Sequence, residues 1–517
     1  MSGGRERRRK RGVAPGEIAG LAALLAALAG CTVGPDYARP DAPVPAAYKE
    51  AWKPGPVEKG WARARPADAV DRGAWWSIYR DPVLDGLERQ IDISNQNLKA
   101  AEAAFREAEA SVAAARAQFF PTAALNGSAT RARSSGNSAP TAGFGGGISN
   151  RFLAETTASW VPDLWGSVRR LVEGNVANAQ ASAATLANVR LSAQGTLATA
   201  YVELRVADEL ARLLTAEVKA FSQALKITQN QYRAGTADQS AVDQAQAQLD
   251  ATRAQLVAVG VTRAQLEHSI AVLIGKPPAA LTIAPTDAVL AVPLVPGEVP
   301  SALLQRRPDI AAAERDMQAA NAQIGVDVAA FYPTVTLSAD YGVSAEMLRR
   351  LFTTASRIWS LGSSVAETVF DGGARNAQLE HDKAAYDASV ATYRQAVLTA
   401  FQQVEDELVA ERLLAEQAVA QDAAVKAARS AEATINKQYL AGTQAYTAVI
   451  VAENTALADS ETALNIRQSR LVASVALIEA LGGGWDASQI PSGERIENDV
   501  PLDFNPLPPT FPAPPHK

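Results

Sequence analysis

The feature that most constrains the fold of this chain is an internal repeat of about 210 residues. The phrase "QYRAGTADQSAV" begins at Gln231 and returns, with several positions unchanged, as "QYLAGTQAYTAV" from Gln438. Other marks recur in the same order at nearly the same spacing: "FFPT" and "FYPT" from Phe119 and Phe331, Asp163 and Asp371, and "LIG" and "ALG" ending at Gly275 and Gly482. These ordered marks predict a tandem duplication, with copies at residues 83–276 and 299–484 that fold alike.

The first thirty residues carry the clearest local signal. A basic run from Arg5 to Arg11 precedes an apolar run from Ile18 to Ala29 that is too short to span a bilayer, so residues 1–30 are predicted to be a signal peptide. The single cysteine, Cys31, follows "LAG", and this junction resembles the processing site of bacterial lipoproteins. The resemblance implies that Cys31 is acylated and anchored in lipid. An incidental cysteine behind an ordinary signal peptide is the alternative.

Charge and hydropathy narrow the possible partners. The formal net charge is −6, and loss of the basic leader makes the mature chain more acidic, so the sequence predicts no nucleic-acid binding. After residue 30 the sequence offers no run of eighteen apolar residues, which a membrane-spanning helix would need. If the mature chain crosses a membrane, it is expected to do so with strands.

Within each copy the spacing of the hydrophobic residues changes between that of a helix and that of a strand. Residues 85–118 read as an alanine-rich helix that Pro121 stops, and a strand is expected from Thr122. The matching strand of the second copy is clearer, because apolar and polar residues alternate after Pro333. A second strand follows in each copy, one around residues 152–160 and the other at about 358–370. The glycine-rich stretch between the first two strands lacks the Lys-Ser/Thr of a phosphate loop and is interpreted as a hairpin loop.

Long helices follow the strands. After Asp163 and Asp371, which are placed to cap helices, each copy runs for about sixty residues without proline, which predicts a helix on the order of 90 Å long. A further helix of about forty residues is expected after each repeated phrase. Apolar residues recur at heptad spacing in the last of these helices, at Ile450, Leu457, Leu464, Leu471 and Ile478. This spacing predicts a bundle of long antiparallel helices.

Four strands per chain cannot close a barrel, because known single-chain barrels begin at eight strands. Two or three copies of the chain would therefore have to share one barrel.

Aromatic residues and prolines mark the junction of helix and strand in both repeats: Phe119, Phe120, Pro121, Phe331, Tyr332 and Pro333. The aromatic side chains suit a membrane interface, and sealing of the joint is an equally good interpretation.

Several motifs together resemble one family. They are "CTVGPDYARP" at Cys31, "WW" at Trp75, "DPVLDGL" at Asp81, "RRPDI" at Arg306 and the paired marks described above. Their order is similar to that of the outer membrane factor (TolC-like) family, and most of all to its NodT/OprM-type lipoproteins. The resemblance implies an α+β membrane protein: a homotrimer with a twelve-stranded outer-membrane β-barrel that continues into a long periplasmic α-helical barrel. It also implies a passive exit duct for small toxic compounds, served by a periplasmic adaptor and an inner-membrane transporter.

The same resemblance assigns roles to residues. It places adaptor docking at the two helical hairpin tips, which correspond to Tyr232, Gly235, Thr236, Tyr439, Gly442 and Thr443. The glycines suit the left-handed residue that ends a helix. Tight turns alone would explain the glycines but not the shared Tyr and Thr. Family members close the periplasmic end with charged residues, for which Asp243 is the candidate; a solvated helix face is the alternative.

Other functions remain as alternatives. The three histidines, His268, His381 and His516, have no metal-ligand or nucleophile spacing around them, so no enzyme, cofactor or metal site is expected. An exit duct for type I protein secretion shares the architecture, and an anchored structural lipoprotein without a channel is a further alternative. The remaining segments are expected to be a lipid-anchored N-terminal segment (31–82), a linker (277–298) and a proline-rich tail (485–517).

Overall fold

The computed structural model describes residues 32–42, 45, 48–50, 73–133, 148–293, 306–502 and 504. The predicted signal peptide and Cys31 lie outside these residues. The helices of this part of the chain, apart from short 3-10 turns, are α1 Pro82–Ser94, α2 Gln96–Ala117, α3 Ser167–Arg233, α4 Gln239–Leu273, α5 Pro308–Ala329, α6 Ala374–Leu440, α7 Tyr446–Ala480 and α8 Gly493–Asp499. The strands are β1 Thr122–Arg133, β2 Ile148–Trp160, β3 Thr334–Ala345 and β4 Arg357–Ala366. None of the described helices is long and apolar enough to cross a membrane.

Two pairs of long helices dominate the molecule. The helices α3 and α6 each have 67 residues, and α4 and α7 each have 35. At 1.5 Å per residue the longer pair spans about 100 Å. The two 67-residue helices, α3 and α6, each begin after a glycine at positive φ, and an aspartate just upstream accepts hydrogen bonds from the first turn. Asp163 accepts from the backbone N–H of Val168 at 3.1 Å, and Asp371 accepts from that of Arg375 at 3.2 Å.

The four strands form one antiparallel sheet in the order β1-β2-β3-β4. The pairs Ala124 with Thr157, Ala158 with Ala339 and Leu337 with Ser363 fix its register. The sequence suggested that the last strand ends near residue 370, but β4 ends at Ala366. Ala366 pairs with Thr334, the first residue of β3, and Pro333 before it has no N–H with which to extend the ladder. Strands β1 and β4 are the two edges of the sheet.

The first predicted helix, residues 85–118, is in fact two helices. Asn95 leaves the helical region with ψ 123°, and its Oδ1 accepts a hydrogen bond from the Leu98 backbone N–H at 2.9 Å. Asn95 therefore ends α1 and caps α2. Its Nδ2 also donates to the Leu273 carbonyl at 2.7 Å, so the break joins this region to the end of α4.

The segments outside the two predicted copies also pack on the helices. From the linker, Leu281, Ile283, Leu290 and Val292 join the hydrophobic core around Tyr201. At the other end, α8 lies against α2 and α3, where Ile496 is fully buried beside Val112 and Ala179. The expectation that residues 485–517 are a tail is therefore wrong for residues 485–499. Most of the stretch 501–517 lies outside the described residues.

Candidate functional site at the hairpin ends

The turns between α3 and α4 and between α6 and α7 have the same hydrogen-bond pattern. At the first turn, the Gly235 N–H donates to the Tyr232 carbonyl at 2.9 Å, and the Thr236 N–H donates to the Gln231 carbonyl at 2.9 Å. The second turn repeats these bonds between Gly442 and Tyr439, at 2.9 Å, and between Thr443 and Gln438, at 3.0 Å. This pair of bonds is the Schellman motif that ends helices.

Glycine is required at both turns because of the backbone. Gly235 has φ +73° and Gly442 has φ +72°, a left-handed conformation that disfavours any residue with a Cβ. No other group crowds either position, since an added Cβ would meet nothing within 4 Å. The requirement at these turns is therefore conformational rather than steric.

The structure also explains the threonines that follow the glycines. The Oγ1 of Thr236 donates to the Gln231 carbonyl at 3.0 Å, and that of Thr443 donates to the Gln438 carbonyl at 3.0 Å. Each threonine thus adds a side-chain bond to the carbonyl that its own N–H already caps. A tight turn therefore accounts for the shared Thr as well as the Gly, which removes part of the sequence argument for docking.

The two tyrosines have different surroundings. Tyr439 packs against Tyr446, with ring centroids 5.3 Å apart, and its hydroxyl donates to the side-chain oxygen of Gln231 at the other turn. Tyr232, by contrast, is 46% exposed. The repeated phrase consequently presents an available aromatic ring at the first tip and a ring that joins the two tips at the second.

An apolar cluster holds the two hairpin ends together. Phe221 and Leu225 of α3 and Leu249 of α4 pack with Tyr446 and Val449 of α7. Further along the hairpins, Gln248 donates to the side-chain oxygen of Asn454 at 2.6 Å. The tips of one chain therefore form a single unit with two inequivalent turns.

The gate candidate Asp243 is exposed near the start of α4. Its Oδ1 accepts a hydrogen bond from the Gln239 side chain, one turn earlier, at 2.8 Å. This placement is compatible with either interpretation from the sequence, a charged gate or a solvated helix face.

Sequence reasoning missed a buried carboxylate close to the tips. Glu453 of α7 is only 6% exposed, and its Oε2 has no hydrogen-bond partner among the described residues. Burial, together with the neighbouring Glu432 of α6 and Glu217 of α3, raises the pKa of the Glu453 carboxyl to about 7. Its position in the sequence held no signal of burial, because three helices distant in sequence enclose it.

The predicted aromatic junction lies where the sheet meets the helices. Tyr332 stacks on Trp165, with centroids 4.9 Å apart, and the guanidinium of Arg375 lies 5.2 Å from the ring of Phe331.

Trp160 donates from its indole N–H to the Phe119 carbonyl at 2.9 Å. In the same way, Trp165 donates to the Pro333 carbonyl at 2.7 Å. Phe120 contacts Phe504 edge to face at 5.5 Å, and the two prolines precede β1 and β3.

The two tryptophans were not among the predicted site residues. Trp160 is the last residue of β2 and Trp165 follows five residues later, and both donate to backbone carbonyls of the junction residues. The stretch "SWVPDLW" carried the available signal. The first described residues, Thr32 and Val33, lie at the same junction. The Val33 N–H donates to the Trp165 carbonyl at 3.1 Å, and Thr32 is so close to Gly166 that a Cβ there would approach it to 2.8 Å.

Nothing in the described part of the chain forms a group of three or more His, Cys, Asp or Glu side chains that could hold a metal. The exposed His381 contacts Asp382, with 2.6 Å between Nδ1 and Oδ1, and His516 lies outside the described residues.

Comparison with known proteins identifies the family. The model of the family described as outer membrane efflux protein matches the chain twice, over residues 88–276 and 299–483. The toluene efflux pump outer membrane protein TtgC of Pseudomonas putida is 30% identical over 475 residues, which cover 90% of this chain and 95% of that protein. The pyoverdine export outer membrane protein OpmQ of Pseudomonas aeruginosa is 31% identical over 449 residues, covering 84% of this chain and 94% of that protein.

Solved structures agree with the sequence comparisons. The outer-membrane channel OprN matches with a TM-score of 0.80 at 29% identity, over 88% of this chain and all of that chain (100%). The open state of the MtrE outer membrane channel of Neisseria gonorrhoeae matches with a TM-score of 0.76 at 26% identity, over 88% of this chain and 99% of that chain. The chain has the fold of these outer-membrane channels and belongs to the outer membrane efflux protein family.

Proposed function

We propose that three copies of this chain form the outer-membrane exit duct of a tripartite efflux system. In this arrangement each copy contributes four strands to a twelve-stranded barrel, and the long helices continue as a tunnel through the periplasm. A periplasmic adaptor and an inner-membrane transporter complete the system. The relatives are named for toluene efflux and pyoverdine export, so we assign small molecules as cargo and leave their selection to the transporter.

The observation that carries this proposal is a sheet with two open edges at one end of very long helices. Strand β1 is exposed along its whole length, and β4 is exposed at nearly every position. Unpaired strand edges cannot remain in lipid, because their N–H and C=O groups have no water there to bind. Pairing of β4 in one copy with β1 of the next satisfies both edges. Helices of about 100 Å then supply a tunnel of matching length.

The tandem duplication fits the same arrangement. Each half of the chain supplies two strands, then a helix of 67 residues, a glycine turn and a helix of 35 residues. The matched helix lengths and the double match to one family model support the interpretation that residues 83–276 and residues 299–484 are two copies of one ancestral unit. Three chains would then present six hairpin tips of two alternating kinds.

Lipid anchoring through Cys31 is part of the proposal. Thr32 and Val33 lie beside Trp165 and Gly166, at the junction where the sheet ends. An acyl group on the preceding residue would then start next to the rings of the aromatic junction, which suit a membrane interface. This placement supports an outer-membrane anchor.

Docking of the adaptor at the tips is also proposed. The exposed Tyr232 and its neighbour Arg233 mark the first tip, whereas Leu440, which is 65% exposed, takes the place of Arg233 at the second. An adaptor would thus meet one aromatic, basic tip and one apolar tip. The turn glycines hold these side chains in position, and the threonines brace the turns.

The test is assembly and conductance of the purified protein. We expect heat-stable trimers in detergent that conduct ions in planar bilayers. A monomer that inserts without conducting would overturn the proposal and would favour the anchored structural lipoprotein.

A further inference from the structure

An arginine-rich cavity lies between the long helices, away from the aromatic junction. It is a partly open cavity of about 590 Å³ and is lined by side chains of α3, α6 and α7. Its charged residues are Arg212, Arg429, Arg467, Arg470, Glu209 and Asp422. This volume falls within the range of small-molecule sites in proteins, which is roughly 300–1,000 Å³.

The positive charge of the cavity exceeds the negative charge of its walls. Two carboxylates face four guanidinium groups, and Glu209 is already engaged in an ion pair with Arg467. Arg212 reaches beyond the cavity to Asp287 of the linker at 2.8 Å, a pair in which the Asp287 side chain is 93% exposed. Such a solvent-exposed pair contributes little to the stability of the fold.

Of the four arginines, Arg429 and Arg470 form no ion pair among the residues that the structure describes. Arg429 donates to the Ser460 hydroxyl at 3.2 Å and also lies near Glu217 and Glu432. Arg470 faces Glu411 of α6, whose Oε1 has no hydrogen-bond partner within the described ranges, and the two side chains do not form an ion pair there. Both guanidinium groups therefore have N–H donors available for an added acceptor.

Polar atoms in the walls are also left unsatisfied. The Nε atoms of Arg212, Arg467 and Arg470 are buried and have no hydrogen-bond partner among the residues that the structure describes. A buried donor without a partner destabilises the folded state. Three such donors around one cavity are explained if the arginines turn toward an oxyanion that the cavity receives, because the Nε and Nη of a guanidinium form a fork that matches carboxylate and phosphate oxygens.

We propose that this cavity binds a small polyanion that carries at least two carboxylate or phosphate groups. One guanidinium can hold each oxyanion group, so a ligand with two or more such groups would reach arginines on α6 and α7 at once. Binding would link α3, α6 and α7 and would thereby tie the first hairpin to the second. This inference does not depend on the proposed efflux function.

The test is calorimetric titration of the purified full-length protein with pyrophosphate and, separately, with citrate, up to about 5 mM. We expect saturable binding of at least one of the two anions, with one site per chain, that weakens as sodium chloride is raised. Acetate, which carries a single carboxylate, should bind at least tenfold more weakly. The bound anion should also raise the thermal unfolding midpoint, because a ligand that binds only the folded state stabilises it.

Two variants and a matched control separate this site from general surface charge. Arg470→Gln and Arg429→Gln should each weaken binding by about tenfold or more, since each removes charge-assisted hydrogen bonds. Arg253→Gln removes an exposed arginine of α4 outside the cavity and should bind as the unchanged protein does. If Arg470→Gln fails to assemble, the exposed Arg429 provides the second variant. Absence of saturable binding to both anions, or equal affinity in the Arg429 and Arg253 variants, would overturn the proposal.

Discussion

Replacement of Glu453 by glutamine should make the protein more stable at alkaline pH. The carboxyl is 6% exposed and has an ordinary pKa of 4.5 that rises to about 7 in the folded protein. The folded state therefore keeps a proton that the unfolded state releases between these two values. The stability that the protonated Glu453 carboxyl contributes to the folded state is fully present below pH 4.5. It is lost as the pH rises through 7, because the buried carboxyl must then ionise beside Glu432 and Glu217.

The magnitude follows from the size of the shift. A change of one pKa unit corresponds to about 1.4 kcal/mol, so the ionised Glu453 costs roughly 3 kcal/mol per chain at pH 8. Glutamine has nearly the same shape and no charge. Glu453→Gln should consequently match the unchanged protein at pH 5 to within about 1 kcal/mol and exceed its stability at pH 8 by roughly 3 kcal/mol.

Thermal unfolding at pH 5 and pH 8, followed by circular dichroism at 222 nm, measures this difference. Glu416→Gln, which alters an exposed carboxylate of α6, is the control and should change neither midpoint. The Glu453 variant should unfold several degrees higher than the unchanged protein at pH 8 and at nearly the same temperature at pH 5. A Glu453→Gln midpoint equal to or below that of the unchanged protein at pH 8 would refute the assignment of a buried, protonated carboxyl.

Three further predictions concern the proposed duct. Gly235→Ala and Gly442→Ala each place a Cβ at positive φ, at a cost of about 1–2 kcal/mol, and should reduce efflux in a complemented deletion strain while trimers still assemble. Gly260→Ala, in the middle of α4 with open space around it, is the control. Normal efflux by both turn variants would argue against docking at the tips. Asp243→Ala should raise single-channel conductance in planar bilayers, and an unchanged conductance would remove Asp243 from the gate. Cys31→Ser should abolish incorporation of labelled palmitate, whereas continued labelling would show that Cys31 is not the acylated residue.

Much of the architecture was predictable because local signals and the fold agree. Pro121 and Pro333 mark the change from helix to strand, and the structure begins a strand directly after each of them. The repeated "AGT" phrase predicted helix reversals, and both occur at those glycines. Proline-free stretches likewise predicted the long helices. These features depend on the conformational limits of single residues, which a sequence displays directly.

The sequence could not reveal features that depend on contacts between distant elements. Asn95 ends one helix and caps the next, yet the alanine-rich surroundings favoured a continuous helix. Helix α8 is short and is held by Ile496 against α2 and α3, so its seven residues showed no strong periodicity. Burial of Glu453 requires three separate helices. The role of Thr236 was missed for a different reason, because its side-chain bond belongs to a turn that had been recognised by its glycine alone.

The most direct test of the central claim is electron cryomicroscopy of the protein extracted from outer membranes. The account predicts a particle with threefold symmetry in which β4 of each chain pairs with β1 of the next, closing one barrel above a helical tunnel of about 100 Å. A particle in which these two edges stay unpaired, or in which the strands of a single chain close on themselves, would contradict it.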